Sequence, residues 1–427
     1  MSDQHLQPTE VRRLEGYAST LYKPAAWIQT AAMVCLLIGT VGFAAGLKMS
    51  PGRAWGAFLA NFLFWTGLSM ASMAMAATFN VSHAWWGRPI QRITSGLSAF
   101  TPLSLVALGI LWFGRHEIFW WLEEADRSPW LQIGSLFIRD AAVLVIASIF
   151  SVWSLRASIR PDLGAMIEEG VIPRSGFAAW VTRGWKGAAP EQVRSMRTLK
   201  VLSPIYLLVY VFGMAFLAID LAMSLNPGFR STMFPVIYWI GEYFGAFAAA
   251  AILLCCWRSM KPLDELFSVA YVRDLGNMLW GTSIFWAYVN WSQYFVVWMG
   301  NLPTEAAYVA ARWRTQPWEP LAWTMLACSF LVPFFLLFLR GLKRTPNAIA
   351  VIGALGLAGI LIQRFLDIFP GMRTLGPSDF GLVEITVTIG FLGAVALPYL
   401  WLMRRVPVFP IEDPLFLRGL ATRGVEV

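Results

Sequence analysis

"GILIQRFLDIFPG", Gly359 to Gly371, is the stretch on which the reading of this chain turns. Its first residues belong in a membrane helix, yet Arg364 and Asp367 stand three positions apart just before a Pro-Gly stop. In water such a pair decorates a helix surface and contributes about 0.2–0.5 kcal/mol. In hydrocarbon each charge alone costs about 2.5–3.5 kcal/mol on insertion scales. The surroundings decide between the two.

Those surroundings are a membrane protein's. Of the 427 residues 57% are hydrophobic, 15% aromatic and only 14% charged, where ordinary soluble domains carry about 25% charged residues. Runs long enough to cross about 30 Å of hydrocarbon recur near 25–47, 54–78, 94–113, 132–154, 201–224, 232–257, 276–299, 320–341, 347–369 and 382–402. The expected fold is therefore all-α, with ten transmembrane helices over residues 25–402. Residues 1–24 form a polar tail with no apolar core before a small-residue site, which argues against a cleaved signal peptide. Residues 403–427 form a second tail.

Placing successive loops on alternating sides puts 23 of the 33 Lys and Arg on the side of both termini and 8 on the other. The positive-inside rule makes that side, and both tails, cytoplasmic. The basic excess thus sets orientation, and no nucleic-acid partner is needed to explain it. The longest loop, 155–200, mixes Arg160, Arg174, Arg183 and Lys186 with Trp180 and Trp185. It reads as an interfacial segment on an anionic leaflet, or a docking surface. On the other side "RHEIFWWLEEADRSPW" (Arg115 to Trp130) and "TEAAYVAARWRTQPW" (Thr304 to Trp318) read as short surface helices rich in Trp.

The helices repeat. "FWTG" (Phe64 to Gly67) near the start of the second span, with Pro89 downstream, matches "YWIG" (Tyr238 to Gly241) and Pro262 at the sixth. "WFG" (Trp112 to Gly114) matches "WMG" (Trp298 to Gly300), and "LRASIRPD" from Leu155 matches "LRGLKRTPN" from Leu339. Asp220 precedes Pro227-Gly228 as Asp367 precedes Pro370-Gly371. Four matches in order, offset by four helices, indicate a duplication of two four-helix bundles, spans 2–5 (about 54–224) and spans 6–9 (about 232–369). Spans 1 and 10 flank them. A unit with an even number of spans duplicates in parallel, unlike an inverted repeat.

Charged side chains inside the spans are few: Arg139, Asp140, Asp220, Glu242, Arg364, Asp367 and Glu384. At about 1.5 Å rise per residue Glu242 lies roughly 15 Å deep and Arg139 about 10 Å, with the rest within about 10 Å of the outer surface. The cytoplasmic halves offer hydroxyls instead, such as Ser98, Thr101, Ser151, Tyr206, Tyr210 and Thr282. Glu242, Asp140, Asp220, Asp367 and Glu384 are therefore candidates for an outward proton path, with Arg139 and Arg364 as charge partners. The bland alternative for each is a structural ion pair or an interface-wetted acid. For Glu242, inside the GxxxG of "GEYFG", it is helix packing. Asn290, Gln293 and Tyr294 in "YVNWSQYF" are candidate quinone contacts or interhelical hydrogen bonds.

Absences narrow the chemistry. None of the three histidines, His5, His83 and His116, lies mid-span, so bis-His haem ligation within the membrane is excluded. The cysteines lack CxxC spacing, there is no Gly-rich phosphate loop, and no cluster suits a metal. The chain is expected to hold no metal and no redox cofactor of its own. An apolar, Trp-rich cavity with acids open to the outside suits a membrane quinol, whose oxidation must release protons. A proton-coupled secondary transporter is the alternative, but it needs relay groups in both halves.

Three stretches carry a resemblance: "HAWWGRPIQR" (His83 to Arg92), "YVNWSQYFVVWMGNLPTEAAYV" (Tyr288 to Val309) and "LAWTMLACSFLVPFFLLFLRGLKRTPN" (Leu321 to Asn347). With them the chain resembles, over nearly its whole length, the ActF-type subunit of bacterial alternative complex III, within the polysulfide reductase/NrfD-like membrane subunits. The resemblance implies two four-helix bundles with flanking helices in the bacterial inner membrane. It implies a subunit of a quinol:cytochrome c (or oxidase) oxidoreductase, contributing a quinone pocket, a proton half-channel or both. The implied partners are an NrfD-like sister subunit, an iron–sulfur subunit, a multihaem cytochrome c and membrane lipid.

Overall fold

The computed structural model describes residues 25–123, 129–226, 228–258, 269–372 and 381–423. The tail 1–24, and Pro227 and Pro262 of the repeat, lie outside the described residues. Among the described residues all regular structure is helical. Ten long helices follow one another: α1 (Ala26–Met49), α2 (Pro51–Val81), α3 (Trp85–Ile118), α4 (Ile133–Glu168), α5 (Ala188–Leu221), α6 (Phe234–Arg258), α7 (Val269–Gly300), α8 (Trp318–Phe338), α9 (Pro346–Ile368) and α10 (Leu382–Met403).

Nine of these, among the described residues, are both long and apolar enough to cross a membrane. The chain is an all-α, multi-pass membrane protein. The expected count of ten is corrected to nine on this measure. The exception is α7, where a span was expected over 276–299. It is helical over 32 residues, but Asn277, Asn290, Ser292 and Gln293 interrupt its apolar run, and amides are costly to bring into hydrocarbon.

Two segments expected as loop and tail are folded. Helix α4 runs on through Pro161 to Glu168, 36 residues in all, or about 54 Å, well past the hydrocarbon. Helix α5 begins at Ala188. The expected interfacial loop 155–200 is thus mostly two helix extensions, joined through a short helix, Gly176–Val181. Residues 404–419, expected within a free tail, pack back against the same end. Val406, Val408, Phe409 and Phe416 are buried. Arg92 donates to the Pro407 and Phe409 carbonyls at 3.4 and 3.2 Å, and to Asp162 at 2.5 Å. Arg88 pairs with Asp413 at 3.1 Å.

Helix α2 is the centre of the bundle, with nearly every residue buried. Its composition explains this: Ala, Gly, Ser and Met let seven neighbours approach, α1, α3, α4, α5, α6, α9 and α10. Contacts come in matched sets, α2 on α5 and α6 on α9, then α2 on α9 and α6 on α5, with α2 meeting α6 across the middle. The flanking helices α1 and α10 pair with each other, and glycines bring them together. A Cβ on Gly39 would lie 2.1 Å from Gly390 Cα, and one on Gly393 would lie 2.5 Å from the Ala32 carbonyl. Gly39→Val should therefore push α1 off α10 and destabilise the chain by about 1–3 kcal/mol, the range for overpacking. Gly109→Ala, where an added Cβ meets nothing within 4 Å, is the control. Thermal unfolding midpoints in detergent check this, and equal midpoints for the two variants would contradict the packing described.

Candidate functional site

Arg364 is fully buried and does not simply neutralise its neighbour. Its Nε donates to Glu242 Oε1 at 3.0 Å, and its Nη1 to Asp367 Oδ2 at 3.2 Å. The guanidinium also lies 3.6 Å from the centre of the Tyr238 ring, a cation–π contact that strengthens when water is excluded. The i,i+3 pair of the sequence is therefore one edge of a three-membered network across α6 and α9.

Glycines make room for it. A Cβ on Gly241 would come within 2.9 Å of Arg364 Nη2, and one on Gly67 within 2.5 Å of Glu242 Cγ. These are the last residues of "YWIG" and "FWTG", so the repeated motif ends at the two points where charged side chains cross the helix interface. Glu242 is anchored through one oxygen only. Its Oε2 is buried with no hydrogen-bond partner among the described residues.

Asp367 forms the end of the network nearest the C-terminus of α9. The Tyr308 hydroxyl donates to its Oδ1 at 3.3 Å, and Arg312 Nη2 donates to its backbone carbonyl at 3.1 Å. Both belong to the helix Pro303–Trp313, whose Tyr308 ring is stacked between Phe229, at 3.7 Å, and the Arg312 guanidinium, at 3.4 Å. The expected surface helix is present, and its inner face closes over the end of α9.

The other candidate acids are arranged differently. Glu384 is held by Arg53 through two hydrogen bonds of 2.9 Å, and it also accepts from the Gly381 N–H. Asp220 accepts from Arg139 at 2.7 Å and from the Trp130 indole at 2.8 Å, with the same guanidinium 3.9 Å from the Trp130 ring. Asp140 is fully buried beside Asp220 and shares a hydrogen bond with it; among the described residues no N–H or hydroxyl donates to either of its oxygens.

The polar residues of α7 separate. Asn290 accepts from Gln363 at 3.0 Å, and Gln363 accepts from the Trp286 indole at 3.0 Å, so Asn290 joins the shell beside Arg364. Gln293 turns away to accept from Ser231. Tyr294 is exposed and rests against Trp291. Arg53, Tyr238, Tyr308 and Arg312 were not singled out in the sequence as site residues. The signal available for the last two is their i,i+4 spacing on an amphipathic helix.

In the other half of the bundle the hydroxyls are tied to backbone or to each other. Ser98 donates to the Ser95 carbonyl at 2.7 Å, and Ser151 to Tyr206, which donates in turn to the Met70 carbonyl. Tyr210, by contrast, reaches the level of Glu242 and donates to the Trp239 carbonyl at 2.5 Å. A cavity of about 420 Å³ opens there among Thr78, His83, Trp85, Trp86, Tyr243 and Thr282. Tyr243, the residue after Glu242, donates to Thr78 at 2.8 Å in its wall. Compared with known proteins, the chain matches no family model and no curated protein sequence.

Proposed function

We propose that the chain is a membrane subunit of a bacterial respiratory quinol:cytochrome c (or oxidase) oxidoreductase. In this reading Glu242, Arg364 and Asp367 form a proton half-channel opening to the outside. The chain sits in the inner membrane with both termini cytoplasmic. It carries no redox centre, and it works beside an NrfD-like sister, an iron–sulfur subunit and a multihaem cytochrome c.

The observation that carries this reading is the bridging of Glu242 and Asp367 by a single buried guanidinium. A mid-membrane carboxylate with one bare oxygen accepts a proton, and Arg364 then shifts its partnership toward Asp367 at the outer end. Proton acceptance by a positioned carboxylate is what quinol oxidation needs. The aromatic cavity behind Tyr243 is of a size and lining that suit a quinol ring. Asp140, hydrogen-bonded to Asp220, is a second proton-exchanging position in the other bundle. The ion-paired Glu384 reads better as a brace between α2 and α10.

The alternative of a proton-coupled transporter requires a path through the other half. The tying of Tyr206 and Ser98 to carbonyls counts against it, because a hydroxyl committed to a carbonyl is a poor relay.

Glu242→Gln tests the proposal, since glutamine keeps an acceptor for Arg364 and removes the ionisable group. In the assembled complex, quinol-dependent turnover should fall at least tenfold while a native gel shows unchanged assembly. Wild-type turnover and proton release in the assembled variant would make Glu242 a packing residue. Proton-driven solute uptake by vesicles holding the chain alone would favour the transporter.

A further inference from the structure

Around the short helix Gly176–Val181 the chain gathers arginines and exposed aromatic rings that the proposed proton path does not use. Arg156 donates to the Val181 and Trp180 carbonyls at 3.4 and 3.3 Å, with its guanidinium 5.2 Å from the Trp180 ring. Arg160, Arg183 and Arg194 all lie within electrostatic reach of Arg156, and Glu191 is the acid among them. Glu191 is shared, accepting two hydrogen bonds from Arg160 at 2.6 and 2.9 Å and pairing more loosely with Arg194 at 3.6 Å, so one carboxylate faces four guanidiniums. The patch therefore keeps a net positive charge.

Phe177 on the same short helix packs against Trp401 of α10 at 5.3 Å, and Arg405 stands 4.3 Å over the Trp401 ring. Trp180 and Trp401 are each about half exposed, at 48% and 47%. Arg183, Arg194 and Arg405 are exposed as well.

The depth of these groups is set by helix geometry. Arg156 is 23 residues beyond the start of α4, about 35 Å along it. Trp401 is 19 residues beyond the start of α10, about 28 Å along it. With about 30 Å of hydrocarbon, both fall at headgroup level. Indole rings favour that layer, and arginine binds phosphate through a planar fork of donors.

We infer that this patch is a binding site for the phosphate headgroup of an anionic phospholipid. Arg183, Arg194 and Arg405 would supply the charge, while Trp180 and Trp401 flank the acyl chains. The occupant is a lipid rather than an acidic protein segment because the arginines are interleaved with exposed aromatic rings at membrane depth. A peptide partner would leave those rings facing acyl chains for no gain.

The test uses the full chain in detergent with added phosphatidylglycerol or phosphatidylcholine, and native mass spectrometry as the readout. Wild type should retain phosphatidylglycerol at least tenfold better than phosphatidylcholine. The triple variant Arg183→Gln, Arg194→Gln, Arg405→Gln should lose that preference while keeping its unfolding midpoint. Trp180→Ala should weaken retention of both lipids equally. Equal retention of the two lipids by wild type would overturn the inference. So would a triple variant that keeps the preference.

Discussion

Arg364→Met should abolish recovery of folded protein, and the triple change Glu242→Leu, Arg364→Met, Asp367→Leu should restore it. Removing one member of a buried charge pair typically costs about 3–5 kcal/mol, because the remaining charge is stranded. Here two carboxylates are stranded at once. Replacing a whole buried network by apolar groups is often close to neutral. The informative intermediate is the double change Arg364→Met, Asp367→Leu. Were the sequence pair a closed unit, it would be nearly silent. Because Glu242 accepts from Arg364 at 3.0 Å, the double variant should stay unstable until Glu242 is also replaced. Fluorescence-detected size exclusion reads all three, and a stable double variant would show that the α6–α9 link carries little. In the proposed function the stable triple variant should also lose quinol-dependent turnover, which separates the brace from the relay.

The second large effect is expected at the opposite end of the bundle. Arg160 is buried and satisfies Glu191 through two hydrogen bonds, and it also donates to the Val181 and Arg183 carbonyls at 2.9 Å and to the Gly184 carbonyl at 3.1 Å. This side chain thus makes most of the buried hydrogen bonds across the connection between α4 and α5, with Arg156 adding longer ones to the Val181 and Trp180 carbonyls. Arg160→Met should cost about 3–5 kcal/mol, as for any broken buried pair. Arg174→Gln, on an exposed residue of the same segment, should change stability by less than about 0.5 kcal/mol. Limited proteolysis across residues 170–186 gives the readout, with rapid cleavage expected only in Arg160→Met. Resistance equal to wild type would mean that the helix extensions hold the segment without this arginine.

What the sequence alone determined is the part of the protein that depends on composition and local period. Long apolar runs between polar breaks can satisfy their backbone in lipid only as helices, so the membrane class and the positions of α1 to α10 were legible. So was the recurrence of "FWTG" and "YWIG", although not that their last glycines leave room for charged side chains. The count of membrane-crossing helices was less secure at α7, because Asn290 and Gln293 could be bundle-facing or exposed, and no local pattern separates the two.

The tertiary structure decided which charges meet. Arg364 is 122 positions from Glu242, Arg53 is 331 from Glu384, and Arg160 is 31 from Glu191. Nothing in the local sequence links such partners. Glu242 read as one acid among several, with no arginine assigned to it in particular, because its cation arrives on another helix. Arg160 read as a loop charge because burial comes from residues 181–191 folding over it. Tyr308 and Arg312 looked like surface residues for the same reason. A side chain's propensity is a property of its neighbours in sequence, whereas the free energy of a buried charge is set by the groups within a few ångströms in space, and only the packed helices place those.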